Sequence, residues 1–506
     1  MGTKVLLLGL DGADRSLVDA WTRDGTLPTL AALRERGHWG ELAGQPGLGD
    51  DAAWASFSTT LRPEHHGRFH HQRPEPDGVS LVAHRRDDMT VPPFWDALVG
   101  AGRRVAVVDV PKSPMGDDCA LVISDWMVHG AEGPMRLSRT AAAHPAAAVL
   151  QTGPEPDFDC NRLGPTADDV AAFEAACVRR NGHRTAVLRG LLEGDDWDLF
   201  VATFGTPHCA GHRTWRDHDV HHPEHDPGRR AQVGDVVEHV YADVDRCVRT
   251  LVDAAGDDAL VVVFSVLGMG PNHHGSHLAE EVLRRGTGAT APNPARLADG
   301  ALSRVPGWLR RRVPWVLSGL GQRARIRHER AKPYRVVPAD LTSTPLRIAA
   351  ARSTDADGVR HVPPMARQEL TGTLGALVDP ASRRPLVEAV VFTQDVYPGA
   401  RTFADAFVLW DPTARIDAVR AEGLGVLHRP APPLRSGNHR PGGWFVAAGP
   451  GVGHAGDSLT GEIVDLGVTV AARLGVELDV TDGHRLALGA HPEGEGRPRS
   501  RGEVGR

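Results

Sequence analysis

What most constrains the fold of this chain is a set of short apolar segments, several of them fed by a long stretch of helical periodicity. KVLLLGLDG (4–12) runs apolar and then turns polar, and RRVAVVDVPKSP (103–114) repeats the design before proline stops it. TADDVAAFEAACVRRNGHRTAVLRGLLEG (166–194) opens on Thr and Asp, which cap helices, carries apolar residues at helical spacing, and leads into WDLFVATF (197–204). QVGDVVEHVYADVDRCVRTLVDAAG (232–256) does the same before ALVVVFS (259–265). GEIVDLGVTVAARLGVE (461–477) reads as a further helix over the sheet. A strand that is apolar at nearly every position has both faces buried, the condition of a parallel strand between helices. The pattern predicts an α/β fold with a mostly parallel central sheet and helices on both faces.

Residues 281–375 break this rhythm and read as an inserted cap between a first core part (1–280) and a second (376–490). Within it, VPGWLRRRVPWVLSGLGQRARIRHERAKPYR (305–335) is basic and tryptophan-bearing. Such a segment could bind anionic lipid, a nucleic acid or an acidic substrate, but prolines and glycines interrupt its periodicity, so it reads as a surface whose aromatic side chains pack inward and whose arginines are solvated. The tail, 491–506, has the composition of a disordered segment.

A net charge of −7 lacks the basic excess of a nucleic-acid binder, so no nucleic-acid polymer is expected as partner. No segment has the apolar length to cross a bilayer, and the first apolar run is too short for a signal peptide. Five cysteines without a CxxC pair argue against a disulfide framework. A cytoplasmic location with no membrane partner is the expectation.

In an open parallel sheet, ligands bind beyond the carboxyl ends of the strands. Asp11 follows the first strand. His208 and His212, in FGTPHCAGHRTW (204–215), follow another, and SVLGMGPNHHG (265–275) follows a third. His439 lies in LRSGNHRPGGWFVAAGPGV (434–452). With 26 histidines in the chain, roughly one pair at any fixed spacing arises by chance. It is the position at strand ends that singles out these residues.

GLDGAD (9–14), PTLAALRERG (28–37) and DDAAWASFSTTLRPEHHG (50–67), in that order, resemble the alkaline phosphatase superfamily in its type I phosphodiesterase/nucleotide pyrophosphatase branch. The 461–477 segment looks like that family's closing helix, and the resemblance runs from about residue 1 to 480. It implies an alkaline phosphatase-like fold and a hydrolase of phosphate esters or phosphodiesters. By this likeness Asp11 matches the first metal-binding Asp, and Asp50 stands where the family has its Thr or Ser nucleophile. His208 takes the Asp place of an Asp-x-x-x-His motif, while His212 and His439 match family histidines. The family's Ser-Asp-His-Gly turn reads Ser265, Val266, Leu267, Gly268 here. Two ligands of a second metal are thereby replaced by aliphatic side chains, so a two-zinc site is not expected.

His208, His212 and His439, with Asp11, would hold one catalytic Zn²⁺ (Mn²⁺ or Fe as alternatives) with a position left open. The expected reaction is attack by metal-bound hydroxide on a small anionic substrate, nucleotide-type or otherwise. Asp50 would serve as general base, as orienter of the water or as an added ligand; covalent attack by its carboxylate needs strong electrophilic help. Two alternatives stay open: a degenerate, non-catalytic binding protein, and a sulfate or phosphonate ester hydrolase. Each residue also has a plain reading. Asp11 can cap a turn, Asp50 and Asp51 can stabilise a helix start, and the histidines can be satisfied core residues. His273 and His274 read as an exposed turn or a displaced second site. RDHDVHHPEHD (216–226) reads as a polar loop, and Cys209 as a residue inside the motif that could face a metal.

Overall fold

The computed structural model describes residues 4–75, 79–128, 130–145, 150, 166–273, 275–286, 326, 329–337, 342–353, 359–401, 403–429, 435–453 and 459–489. Most of the 305–335 segment, His274 and the 491–506 tail lie outside the described residues.

The first half begins with β1 (Lys4–Leu10), α1 (Arg15–Asp24), α2 (Pro28–Arg36), β2 (His38–Ala43) and α3 (Asp50–Thr59). It continues through β3 (Val105–Val108), β4 (Leu121–Ser124), β5 (Arg136–Leu137) and the long α4 (Ala167–Gly194). Then come β6 (Leu199–Phe204), α5 (Thr206–His218), α6 (Val236–Ala255), β7 (Ala259–Ser265) and β8 (Gly268–Pro271). The second half contributes β9 (Tyr334–Val336), β10 (Thr344–Ile348), α7 (Pro364–Gly375), β11 (Val387–Phe392) and β12 (Ala406–Trp410). It closes with β13 (Gly437–Arg440), β14 (Gly443–Ala448), β15 (Leu459–Glu462) and α8 (Asp465–Arg473).

Nine of these strands make one sheet in the order β15-β2-β14-β7-β1-β6-β3-β4-β5. The block β7-β1-β6-β3-β4 is parallel throughout, while β14 and the edge strand β5 run antiparallel to their neighbours. The apolar runs of the sequence are these central strands: every residue of β6 and β7 is buried. Alternation along β1 divides its side chains between two cores. Leu6, Leu8 and Leu10 pack with α1, α2, α4 and α6 on one face. Val5 and Leu7 pack with Trp54 and Phe57 of α3 and Leu466 and Val470 of α8 on the other. The fold is α/β with helices on both faces of a mostly parallel sheet, as the periodicity predicts.

Local signals set the element ends. Thr166 caps α4 in a reciprocal arrangement with Asp169, which satisfies two otherwise unpaired backbone donors. The stretch 232–256, read as one helix, is interrupted: Gly234 adopts φ +72° and Asp235 caps α6 anew.

A second sheet, β9-β10-β12-β11, is antiparallel and has its own core, with Leu370 and Leu374 of α7 packed on it. Its strands come from both sides of residue 375, so β11 and β12 join this smaller sheet and not the central one. Exposure accords with this: β11 is partly open along its middle residues, whereas the central strands are buried on both faces. This sheet docks on the loop before α3. Tyr397 donates to the Pro46 carbonyl at 2.8 Å, and Ser343 to the Gly47 carbonyl at 2.6 Å. These two bonds hold the loop that leads into the helix that carries Asp50.

Candidate metal centre

The site forms at the carboxyl ends of β1 and β6. Asp11 is the first residue past β1, and its backbone N–H donates to the Phe204 carbonyl at 2.9 Å, tying the two strand ends together. Gly12 follows with φ +66°, and a Cβ there would lie 2.9 Å from the His208 Cα. Only glycine lets the β1 turn pass this close to the start of α5. On α5, His208 and His212 sit one turn apart and so share a face. The third histidine arrives on β13, which pairs antiparallel with β8 and sets Met269 opposite His439. A Cβ on Gly437 would stand 2.2 Å from the Gly211 carbonyl oxygen, so the two backbones meet because no side chain intervenes.

These constraints converge the three imidazoles. Ring centroids are 4.5 Å apart for His208 and His212, 4.7 Å for His208 and His439, and 4.8 Å for His212 and His439. One nitrogen from each lies within 4.8 Å of the others, and all three residues are buried. Each Nδ1 is turned towards an acceptor. That of His212 meets the Gly437 carbonyl at 2.9 Å, that of His208 meets Asp11 Oδ2 at 3.0 Å, and that of His439 faces Asp50 Oδ1 at 3.4 Å. The Gly437 carbonyl on His212 Nδ1 places the proton there and leaves its Nε2 as a bare lone pair, and the carboxylates beside the other two Nδ1 atoms favour the same tautomer. The Nε2 atoms of His212 and His439 are 3.1 Å apart. Two lone pairs at that distance repel unless a cation or a proton lies between them. Zinc–imidazole bonds of about 2.0–2.1 Å with tetrahedral angles put ligand nitrogens about 3.3 Å apart, so this donor set fits a metal ion.

Asp11 serves two donors at once: Trp54 Nε1 at 2.9 Å on Oδ1 and His208 on Oδ2. Burial alone would raise its pKa, but His208 and the Trp54 hydrogen bond outweigh that and bring it to about 2. His439 is pulled the other way, to about 4, chiefly by burial, against the opposing pull of Asp50. It is therefore neutral at pH 7, as a ligand must be.

Asp50 and Asp51 open α3 and diverge, because neighbours on a helix point about 100° apart. Asp50 faces His439. Asp51 turns into a buried network, with Arg68 Nη2 at 2.7 Å and Lys112 Nζ at 3.8 Å. Lys112 also donates to the Gly130 carbonyl at 2.8 Å, and Arg68 bonds Glu132 as well. Burial opposes ionisation of Asp51, and the Lys112 and Arg68 cations more than reverse it, holding the carboxyl well below its ordinary value. This network anchors the start of α3.

Five residues singled out from the sequence, Asp11, Asp50, His208, His212 and His439, thus fall in one place. Others do not. His273 packs against His222, with ring centroids 5.8 Å apart, and is not in the three-histidine group. The 216–226 stretch is committed to structure, with Asp217 paired to Arg229 and His218 to Asp235. Cys209 is turned into an apolar cluster with Phe173, Cys177 and Val240. A pairing that resembles a nucleophile and base, Ser56 Oγ with His66 Nε2 at 2.9 Å, has the opposite polarity. His66 Nδ1 accepts from the Arg68 backbone N–H at 3.1 Å, so Nε2 carries the proton and donates to Ser56. Two features escaped the sequence reading: the Asp51 network, and Arg435, whose Nη1 lies 3.4 Å from His212 Nε2. The neighbourhood of Arg435 to His439 in LRSGNHR was the available signal.

A small cleft beside His439 is lined by Gln45, Leu48, Gly49, Val266 and Leu267, among others. Val266 and Leu267 are buried in the apolar core with Phe57, Phe264 and Phe445. Among the described residues, no helix is long and apolar enough to cross a membrane.

Comparison with known proteins matches residues 5–372 to the family described as type I phosphodiesterase / nucleotide pyrophosphatase. Two structures of phosphonoacetate hydrolase from Sinorhizobium meliloti 1021 are similar in fold. The complex with phosphonoformate gives 17% identity and a TM-score of 0.50, that with phosphonoacetate 16% and 0.51, each over 93% of this chain and 96% of the other. Human ectonucleotide pyrophosphatase/phosphodiesterase 5 is similar at 12% identity and a TM-score of 0.49, over 95% of this chain and 97% of that one. No curated protein sequence matches the chain.

Proposed function

The chain belongs to the type I phosphodiesterase/nucleotide pyrophosphatase family of the alkaline phosphatase superfamily, and on that premise we propose that it is a hydrolase of a phosphate ester or phosphodiester that works with one metal ion, zinc by preference. The observation that carries this reading is the convergence of three buried imidazoles, one nitrogen of each within 4.8 Å of the others, with an acceptor beside the Nδ1 of His212 and of His208. His208, His212 and His439 would hold the ion, and Asp11 would hold His208 rather than bind the ion directly, a carboxylate–histidine arrangement that raises ligand basicity. A bound zinc supplies Lewis acidity towards a phosphoryl oxygen and towards water. Asp50 sits at the edge of the cluster, where its carboxylate accepts the proton of the attacking water. A carboxylate is a weaker nucleophile than an alkoxide, so base catalysis is the role its chemistry favours. Val266 and Leu267 make the adjoining wall apolar, which supports one metal rather than two.

Elemental mass spectrometry of the purified protein should find about one metal per chain. Hydrolysis of bis(p-nitrophenyl) phosphate should depend on that metal, and His212→Ala should lose both. Unchanged metal content and activity in His212→Ala would overturn the proposal. The aliphatic second site and the absence of a hydroxyl at Asp50 favour a second reading, a metal-holding protein that binds an anion without turnover. It would be recognised by metal at one per chain with no hydrolysis of phosphate, sulfate or phosphonate esters.

A further inference from the structure

We propose that the cleft beside His439 is an oxyanion pocket, in which the side-chain amide N–H of Gln45 donates to one non-bridging oxygen of a phosphoryl group presented to the three histidines. The inference rests on the phosphoester reading of the same site and adds a residue that recognises the substrate.

The backbone fixes where Gln45 stands. A Cβ on Gly44 would lie 2.3 Å from the Gly442 backbone nitrogen, so the chain entering Gln45 runs directly against the turn between β13 and β14. The residues that follow are tied down as well. The Leu48 N–H donates to the Gln45 carbonyl at 3.1 Å, and the Pro46 and Gly47 carbonyls accept from Tyr397 and Ser343. Gln45 and His439 thereby line the same cleft.

Which end of the Gln45 amide is left for the cleft follows from its hydrogen bonds, since the oxygen and nitrogen of an amide have nearly the same shape. With Nε2 placed 2.5 Å from Ser56 Oγ, Oε1 is buried without a partner. Ser56 Oγ then receives two hydrogen bonds, from Gln45 and from His66 Nε2, and its own proton has no acceptor among the described residues. His66 is not that acceptor. It is neutral at pH 7, its pKa lowered to about 3 chiefly by burial, and its Nδ1 already accepts from the Arg68 backbone N–H. Turning the amide about its last bond removes the conflict. Ser56 then donates to Oε1, and 2.5 Å is an ordinary O–H···O length but short for N–H···O. The buried atom without a partner becomes the NH2 nitrogen, a donor that needs an acceptor.

The cleft has room for one. Its volume is about 10 Å³, enough for a single oxygen-sized group. Leu48, Val266, Leu267 and Ile463 make much of its wall apolar, and a fixed donor in such surroundings acts on an oxyanion more strongly than it would in water. Thr342 and Arg440 also border the cleft, but the Arg440 guanidinium reaches to the Pro412 carbonyl at 3.5 Å.

The test is binding of inorganic phosphate by isothermal titration calorimetry on the full chain, with and without one equivalent of zinc, for wild type, Gln45→Met and Gln45→Glu. Zinc content, thermal melting and hydrolysis of bis(p-nitrophenyl) phosphate are read in parallel. Gln45→Met should keep its zinc while the phosphate Kd rises roughly 10- to 100-fold, the worth of a hydrogen bond to a charged group. Gln45→Glu keeps an acceptor for Ser56, and with it the local packing, but turns a carboxylate oxygen to the cleft; its Kd should rise at least as far. Should Gln45→Met fold poorly, Gln45→Glu carries the comparison alone. A Kd within threefold of wild type in either folded variant, or no phosphate binding by wild type, would overturn the proposal. Two outcomes separate it from the metal reading. One zinc per chain and retained hydrolysis, with phosphate affinity indifferent to Gln45, would sink the pocket and leave the metal reading standing. No zinc in wild type, with phosphate affinity still lost in both variants, would keep the pocket and overturn the metal reading.

Discussion

Replacing Asp11 by Asn tests the three-histidine centre through a residue that need not touch the ion. The carboxylate accepts two hydrogen bonds, one from an indole that can only donate and one from His208 Nδ1. Asn offers a single acceptor oxygen. Trp54 is buried and fixed, so the oxygen goes to it, and the amide N–H groups then face His208. Facing donors, Nδ1 must give up its proton, and the neutral ring carries it on Nε2 instead. That nitrogen can no longer bind a metal. Two magnitudes follow. The fall of the Asp11 pKa from 3.8 to about 2 corresponds to roughly 2 kcal/mol of native-state interaction. Because the folded value is the lower one, that stability is present above pH 3.8 and lost as pH falls through about 2. Asp11→Asn should therefore lower unfolding free energy at pH 7 by up to roughly 2 kcal/mol in the metal-free protein. Zinc affinity should fall about 10- to 100-fold, the usual cost of losing an outer carboxylate on a ligating histidine. Chelator competition measures the second quantity, denaturant melts the first, and long-range ¹H–¹⁵N NMR reads the His208 tautomer directly. An Asn variant with the wild-type tautomer and a zinc Kd within threefold of wild type would refute this reasoning.

Gly437→Ala adds a methyl group 2.2 Å from the Gly211 carbonyl oxygen, so β13 must move away from α5 and carry His439 with it. We expect a loss of roughly 1–3 kcal/mol in stability and at least a tenfold loss in zinc affinity; a variant with both unchanged would show that the close approach is not required. Burial, with Arg68 second, lowers the His66 pKa from 6.5 to about 3, so between these values the unfolded chain takes up a proton that the folded chain does not. Stability should fall as pH drops below 6.5, by roughly 2 kcal/mol at pH 5 for this group. His66→Gln should flatten the urea-midpoint profile between pH 7 and 5, and an unaltered slope would assign the acid sensitivity elsewhere. Dialysis against a chelator should lower the melting temperature of wild type and leave His212→Ala unmoved, since only a bound ion stabilises by mass action.

The parts of this molecule legible in its sequence are those where one physical requirement leaves one pattern. Strands buried on both faces must be apolar throughout, and β7 occupies the residues that the run ALVVVFS marks. Helix starts are legible where a cap is needed, as at Thr166 before α4. The interruption at Gly234 is hidden by apolar spacing that continues across it, although Gly-Asp is itself a stop-and-restart signal. Strand partnership is less legible. Val387–Phe392 reads as a strand by composition, but nothing local says that it pairs with Ala406–Trp410 in the second sheet instead of joining the central one. At the site, strand ends located Asp11, His208 and His212, since topology alone brings such ends together. Arg435 was not legible, because its relation to His212 depends on how β13 lies against α5, a distance set by two glycines more than 200 residues apart.

The same packing bears on how many ions the site can hold. A cation placed beside Val266 and Leu267 would lose its hydration and gain no ligand, a penalty of several kcal/mol that nothing there offsets. Both side chains lie in a continuous apolar cluster with Phe57, Phe264 and Phe445, so opening room for water would cost burial on the Trp54 side of the sheet as well. Trp54 is the residue that donates to Asp11. The apolar wall and the setting of His208 are therefore coupled through one indole: on the proposed one-metal reading, the core that would exclude a second ion also holds the carboxylate beside His208. Trp54→Phe should separate the two effects. It keeps the apolar wall, removes one donor from Asp11, and should weaken zinc binding without raising stoichiometry above one. A second ion appearing in that variant would mean that the wall, as drawn from Val266 and Leu267, is not what limits the site.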